Sequence, residues 1–150
     1  MQISPRLYFG VETLVRLVSR NAARPWTVQS LAGSIDCSMS FTEGLMAELR
    51  KAGLVETEQG PGGGFYLNRA ADQITMAEVF RVFAAPHSFD AQLVTPLHQP
   101  QSDVDKLHGA NLLWEALMDH VMLFLESVSL ADLAPAADGA SPEHVGPRFH

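Results

Sequence analysis

Apolar side chains recur every three or four residues along most of the chain, a spacing that predicts helices. Ser4 and Pro5 are typical of a helix start, because serine caps free N–H groups and proline suits the first helical position. The helix is predicted to end before residues 21–25, because Pro25 disfavours a helical residue in front of it. Its buried stripe is predicted to comprise Leu7, Val11, Leu14, Val15 and Val18.

A second, short helix and a third helix follow, joined by a tight turn at residues 33–38. Thr27 is predicted to cap the second helix and Ser38 the third. A helix-turn-helix needs one small apolar side chain in its turn, and we interpret Cys37 as this packing residue rather than as a redox switch. The back of the third helix is predicted to be anchored by Leu45, Met46 and Leu49.

The front of the third helix carries candidate binding residues. The hydroxyls of Ser40 and Thr42 have the chemistry to read base edges in a major groove, and the Glu43 carboxylate can accept from cytosine N4. Ser40 and Glu43 also match a capping box, in which Glu43 would bond the backbone instead. These two uses of Glu43 compete, and the sequence leaves both open.

A β-hairpin is predicted next, with strands at residues 54–58 and 65–67 and a glycine-rich tip at 60–64. The tip is not a nucleotide-binding loop, because no Gly-Lys-Ser/Thr ending is present and a strand follows instead of a helix. A helix-turn-helix followed by such a hairpin predicts a mainly α fold with a small β-hairpin wing, a winged helix-turn-helix. The bare N–H groups of the wing tip can approach a DNA backbone.

The second half of the chain is dominated by one predicted helix, from about residue 105 to 128. A lone helix cannot bury both of its apolar stripes, so we predict that one packs on a partner subunit; a core helix in a monomer is the alternative. The predicted dimerisation residues are Leu107, Trp114, Leu117, Val121, Phe124 and Val128. The second stripe comprises Leu113, Met118, Met122 and Leu125. Thr75 and Glu78 form a capping box that opens an intervening helix.

These elements predict four segments. They are a winged helix-turn-helix domain at 1–84, a sensor or linker loop at 85–106, the dimerisation helix and its exit at 107–133, and a disordered tail at 134–150.

Charge and composition qualify this interpretation. The net charge is −7, yet residues 1–82 carry eight basic and eight acidic side chains, so the acidic excess lies outside the helix-turn-helix and wing. A neutral DNA-reading domain is expected to make few phosphate contacts. No apolar run approaches the roughly 20 residues of a bilayer span, and no signal peptide is evident, which predicts a cytoplasmic protein without membrane contact.

The candidate metal ligands lie mainly in the predicted loop. His87, His98 and His108, with Asp90, Asp103 and Asp105, have suitable chemistry, but their spacing matches no compact site. We therefore predict solvated loop residues, no metal and no cofactor, and leave open a small-molecule effector at this segment.

Several motifs together resemble the Rrf2 family of bacterial transcriptional regulators. They are LRKAGLV at 49–55, GPGGGF at 60–65, ITMAEV at 74–79, LWE at 113–115 and FLESVSLADL at 124–133. The resemblance implies a homodimeric winged-helix protein that binds double-stranded DNA. The predicted DNA-contacting residues are Ser38, Ser40, Phe41, Thr42, Glu43, Arg50, Lys51, Gln59, Gly60, Pro61, Gly62, Gly63 and Gly64.

This chain departs from the family pattern at two points. Gln59 stands where family members often carry a basic residue that enters the minor groove. Residues 86–109 contain none of the three cysteines through which many members hold an iron–sulfur cluster. The expected function is a homodimeric regulator that binds a two-fold-related operator without such a cluster. A winged-helix protein-interaction module is the alternative, and an enzyme is not expected because no nucleophile–base pair or cofactor fingerprint is present.

Overall fold

The structure is a computed structural model that describes residues 4–20, 24–83 and 108–134. The predicted loop at 85–106, Leu107, His87, His98, the three loop aspartates and nearly all of the predicted tail lie outside these residues. The elements are α1 (Pro5–Val18), α2 (Val28–Ser34), α3 (Met39–Lys51), β1 (Val55–Glu58), β2 (Gly64–Leu67), a 3-10 helix (Ala71–Gln73), α4 (Met76–Phe83), α5 (His108–Ser127) and α6 (Leu130–Leu133). The predicted fold class, helices with one β-hairpin, is confirmed.

The first three helices begin at the predicted hydroxyl caps. In each, the hydroxyl oxygen accepts from an N–H that has no carbonyl partner inside the helix. The pairs are Leu7 N to Ser4 at 3.2 Å, Ser30 N to Thr27 at 3.1 Å and Phe41 N to Ser38 at 3.2 Å. Local sequence therefore determines where each helix starts.

The core lies between α1, α3 and α4 and is closed by the hairpin. Leu14 and Leu17 of α1 are fully buried against the back of α3 and the inner side of α4. The helices α1 and α4 approach closely at Gly10, where an added Cβ would lie 2.2 Å from the Phe83 ring. Gly10 is thus a packing residue, because the aromatic ring occupies the space that any side chain would need.

The hairpin pairs β1 with β2 in antiparallel register, from Val55 opposite Leu67 to Glu58 opposite Gly64. Trp26, just before α2, extends this pairing: its N–H donates to the Phe65 carbonyl at 2.9 Å and its carbonyl accepts from Phe65 N at 2.7 Å. The wing is consequently attached to the start of α2 as well as to the end of α3.

The chain after α5 returns to the winged domain. Met76 N donates to the Val128 carbonyl and Leu130 N donates to the Ile74 carbonyl, each at 2.8 Å. The Leu130 side chain is fully buried in the core, and α6 packs against α1. Val128 and Leu130 therefore pack in the same core as α1 to α4, across the predicted boundary at residue 84.

Candidate nucleic-acid interface

Helix α3 has one buried side and one exposed side. Leu45, Met46 and Leu49 are fully buried, as predicted, and fix the helix on the core. The exposed side presents Ser38, Met39, Ser40, Glu43, Ala47, Arg50 and Lys51. Recognition helices of this kind contact base edges through their N-terminal residues, so the candidate reading groups lie in the first turns of α3.

Two of the predicted contact residues face inward instead. Thr42 is fully buried, and its hydroxyl donates to the Ser38 carbonyl at 3.0 Å. Phe41 is half-buried and packs edge-to-face on Phe9 of α1, with ring centroids 5.8 Å apart. The prediction that Thr42 is presented to a groove is therefore wrong, and the Phe41 side chain serves packing between α1 and α3.

The competing roles of Glu43 are resolved by the helix start. The cap is Ser38 and the helix begins at Met39, so Ser40 lies inside the first turn and forms no capping box with Glu43. Glu43 is exposed and has no hydrogen bond or ion pair to any residue of the described chain. Its carboxylate remains available to an external donor.

The turn before α3 contains Asp36 and Cys37. Asp36 adopts a positive φ of 53°, and Cys37 N donates to the Ala32 carbonyl at 3.0 Å, which closes the turn. The Cys37 side chain packs partly against the core, as predicted. Burial, and then the neighbouring Asp36 carboxylate, raises the pKa of the Cys37 thiol. A raised pKa disfavours the reactive thiolate and agrees with a packing role.

The wing tip is a tight turn that depends on glycine. Gly63 N donates to the Gly60 carbonyl at 3.0 Å, with Pro61 and Gly62 at the centre. Gly62 has a φ of 81°, as the third position of a type II turn requires. An added Cβ at Gly63 would lie 2.2 Å from the Glu58 carbonyl oxygen. The exposed part of the tip is therefore residues 59–62, whereas Gly63 and Gly64 are partly buried.

The charges differ between α3 and the wing. Arg50 and Lys51 at the end of α3 are exposed and form no ion pair within the described residues. The hairpin carries Glu56 and Glu58, and residues 55–67 contain no basic side chain. Arg6 of α1 reaches over α3 but is paired with Glu48. Positive charge on this surface is thus concentrated at the end of α3, while the wing is acidic.

The long helix α5 exposes a broad apolar surface. The apolar surface of α5 comprises Leu112, Leu113, Trp114, Leu117, Leu123 and Phe124. Of the predicted dimerisation residues, Trp114, Leu117 and Phe124 belong to it, and Val121 is half-buried. Val128 is different, because it packs against the core of its own domain. Leu125 packs on the same core, and Glu126 pairs with Arg81 at 2.9 Å.

Sequence reasoning missed Met39 and Leu113 as exposed residues. The exposure of Met39 was not predicted, because methionine is usually counted as a core residue. Its position directly after the cap of α3 indicates that it lies in an exposed first turn. Leu113 belongs to the second predicted stripe of the long helix, and its side chain is 65% exposed. Over residues 4–20, 24–83 and 108–134, no three His, Cys, Asp or Glu side chains cluster as metal ligands would. Nor is any helix in those ranges long and apolar enough to cross a bilayer.

The chain is similar in sequence and in fold to known transcriptional regulators. The chain is 30% identical over 139 residues to the HTH-type transcriptional regulator CymR of Bacillus subtilis, covering 93% of this chain and 94% of the relative. It is 32% identical over 133 residues to the HTH-type transcriptional regulator IscR of Photorhabdus laumondii, covering 89% and 79%. The solved structure of CymR, the global cysteine regulator of B. subtilis, matches with a TM-score of 0.68 and 28% identity over 89% of this chain and 96% of that one.

The hairpin after α3 and the polar exposed side of α3 define a winged helix-turn-helix, and the relatives make it a DNA-binding transcriptional regulator rather than an enzyme. The model of the family Rrf2, described as an iron-dependent transcriptional regulator, matches residues 3–136. The chain therefore belongs to the Rrf2 family.

Proposed function

We propose that this regulator is a homodimer that binds a two-fold-related operator in double-stranded DNA without an iron–sulfur cluster. The observation that carries the proposal is the contrast between the polar exposed side of α3 and the apolar exposed surface of α5. Two copies joined through α5 would present two α3 helices to successive major grooves, about 34 Å apart. We place this activity in the cytoplasm.

The DNA contacts divide by chemistry. Ser40 and Glu43 read base edges from the first turns of α3, where their side chains are exposed and form no side-chain hydrogen bond within the described part of the chain. Arg50 and Lys51 meet phosphates, because they are exposed cations that form no ion pair among the residues the structure describes. Gln59, Gly60, Pro61 and Gly62 approach the sugar–phosphate backbone from the wing. Ser38 contributes mainly as the helix cap, since its hydroxyl already accepts from Phe41 N.

The apolar surface of α5 supports the homodimer. Single exposed apolar residues are normal, but six large ones are exposed along one helix, which is typical of a protein interface. A second copy of the chain is the simplest occupant, because a two-fold interface lets the same surface meet itself. Trp114, Leu117 and Phe124 lie on it, and Val121 borders it.

An iron–sulfur cluster of the three-cysteine type does not fit the donors of this chain. Its only cysteine is Cys37, which lies in the turn before α3 and packs against the core. We therefore propose a regulator whose signal does not act through such a cluster. Anaerobically purified protein should show no cluster absorbance and no stoichiometric iron; a coloured, iron-loaded protein would refute this part of the proposal.

The direct test is fluorescence anisotropy with purified protein, its own upstream intergenic DNA and a scrambled control, at several salt concentrations. Specific binding that weakens with salt is expected, because phosphate contacts release counterions. Light scattering at micromolar concentration should give the mass of a dimer. Equal, negligible binding to both fragments, followed by a failed genome-fragment selection, would favour a winged-helix protein-interaction module, for which the acidic Glu56 and Glu58 on the wing are the motivating observation.

A further inference from the structure

Met39 is the only large apolar side chain of α3 that is exposed. It occupies the first position of the helix and is 50% exposed, whereas Leu45, Met46 and Leu49 of the same helix are fully buried. It lies four residues before Glu43 and eight before Ala47, so these three side chains line one exposed side of the helix. Met39 contributes little to the core and stands where a recognition helix meets base edges.

Two of the other side chains at this end of α3 already form hydrogen bonds with the backbone of the helix start. The Ser38 hydroxyl accepts from Phe41 N, and the Thr42 hydroxyl donates to the Ser38 carbonyl. The groups left for bases are the Ser40 hydroxyl, the Glu43 carboxylate and the Met39 thioether. Two are polar and one is apolar, and the apolar feature of the major groove is the C5-methyl group of thymine.

We propose that Met39 is a specificity-determining residue that packs against the C5-methyl group of a thymine in each half of the operator. This inference rests on the proposed function, since it requires α3 to enter the major groove. Residues four apart on a helix have Cβ atoms about 6 Å apart, and base pairs are spaced by about 3.4 Å. The contacted thymine therefore lies within about two base pairs of the base that Glu43 contacts.

The test begins with an operator selected by the purified full-length protein from a random-sequence duplex library. Each thymine is then replaced singly by deoxyuridine, which removes the methyl group and leaves the hydrogen-bonding edge unchanged. Dissociation constants are measured by fluorescence anisotropy. One position in each half-site should weaken wild-type binding by about fourfold, the value expected for one buried methyl group.

Three variants assign the methyl contact to Met39. Met39→Ala should bind the thymine and deoxyuridine operators equally, because the contacting group is gone. Met39→Leu keeps an apolar side chain and should retain most of the discrimination. Lys51→Ala, at the other end of α3, is the matched control: it should alter affinity for both duplexes alike and leave their ratio at the wild-type value. Thermal melts by circular dichroism verify that each variant is folded.

The outcomes separate the two proposals. If the wild-type protein selects no duplex, the proposed function fails and this inference fails with it. If it selects an operator but no thymine-to-deoxyuridine exchange changes its affinity, only the Met39 assignment is overturned. The assignment is equally overturned if folded Met39→Ala protein keeps the wild-type preference for thymine over deoxyuridine, or if folded Met39→Leu protein loses it.

Discussion

Helices α3 and α5 both pack one apolar side on the same core, yet their remaining surfaces differ. The exposed side of α3 is mostly polar, with Ser40, Glu43 and Arg50, whereas the exposed surface of α5 carries six large apolar residues. Leu45, Met46 and Leu49 of α3 are fully buried, whereas the described side chains of α5 are at most half-buried. The exposed sides agree with the proposed partners, a nucleic acid for α3 and a protein surface for α5.

The largest effect is expected from the buried side of α3. Leu49→Ala should lower the free energy of unfolding by about 2–5 kcal/mol, because it leaves a cavity under the recognition helix. Urea denaturation followed by circular dichroism measures this. The neighbouring Arg50→Ala, which removes an exposed side chain, should stay within about 0.5 kcal/mol of wild type. Similar losses in both variants would contradict the division of α3 into buried and exposed sides.

Substitutions on the exposed side of α5 should change the association of two copies rather than the folding of each copy. Phe124 is 58% exposed in the single chain, so Phe124→Ala should weaken the proposed dimer by about 1.5–3 kcal/mol for each copy that loses a buried ring. Sedimentation equilibrium measures the shift toward monomer. Leu133→Ala, which truncates an exposed leucine of α6, is the control and should leave the dimer intact. An unchanged dimer in the Phe124 variant would exclude this surface as the interface.

Helix α4 packs against both α3 and α5, and its start is fixed by Glu78. Burial alone would raise the pKa of Glu78, but hydrogen bonds from Arg69 at 2.8 Å and from Thr75 N at 3.0 Å together hold that pKa below its usual value. A lowered pKa contributes stability above the unfolded pKa, and this contribution is lost as the pH falls through the folded one.

Glu78→Gln should therefore lower stability by about 1 kcal/mol at pH 7, since a charge-assisted hydrogen bond in a partly exposed position is lost. The difference from wild type should shrink as the pH falls below about 4.3, where an ordinary glutamate is protonated. Urea titrations at pH 7 and pH 3 test this. Glu58→Gln, which alters an exposed carboxylate of the wing, should have little effect at either pH. A constant difference for Glu78→Gln across the range would contradict the assignment.

The smallest change in binding is expected from the wing, where residues 59–62, which we propose approach DNA, include no basic side chain. Gln59→Arg should strengthen DNA binding modestly and make it more salt-dependent, with the slope of log K against log salt steeper by about 0.9 for each added phosphate contact. Gln73→Arg adds the same charge in the 3-10 helix and is the matched control. Equal slopes for both variants would mean that residue 59 does not approach the DNA backbone.

The sequence was sufficient for the helix caps, the hairpin and the buried back of α3, because those features depend on nearby residues. The inward position of Thr42 was missed although local spacing reports it: Thr42 lies three residues before Leu45 and four before Met46, on the side of α3 that these residues bury. The burial of Leu130 was also unforeseen. Its N–H bonds the carbonyl of Ile74, a residue far away in sequence, so no local periodicity reports the contact.

The pairing of residues 74–76 with 128–130 has a consequence for how the protein is made. A chain synthesised from its N-terminus exposes α1 to α4 long before Leu130 leaves the ribosome, and until then the core under α1 lacks one of its fully buried side chains. The part that reads DNA is thus completed only after α5 has been synthesised. A truncated product that stops before α5 lacks both the helix that carries the proposed dimer surface and a finished core, so we expect such fragments to compete poorly for the operator.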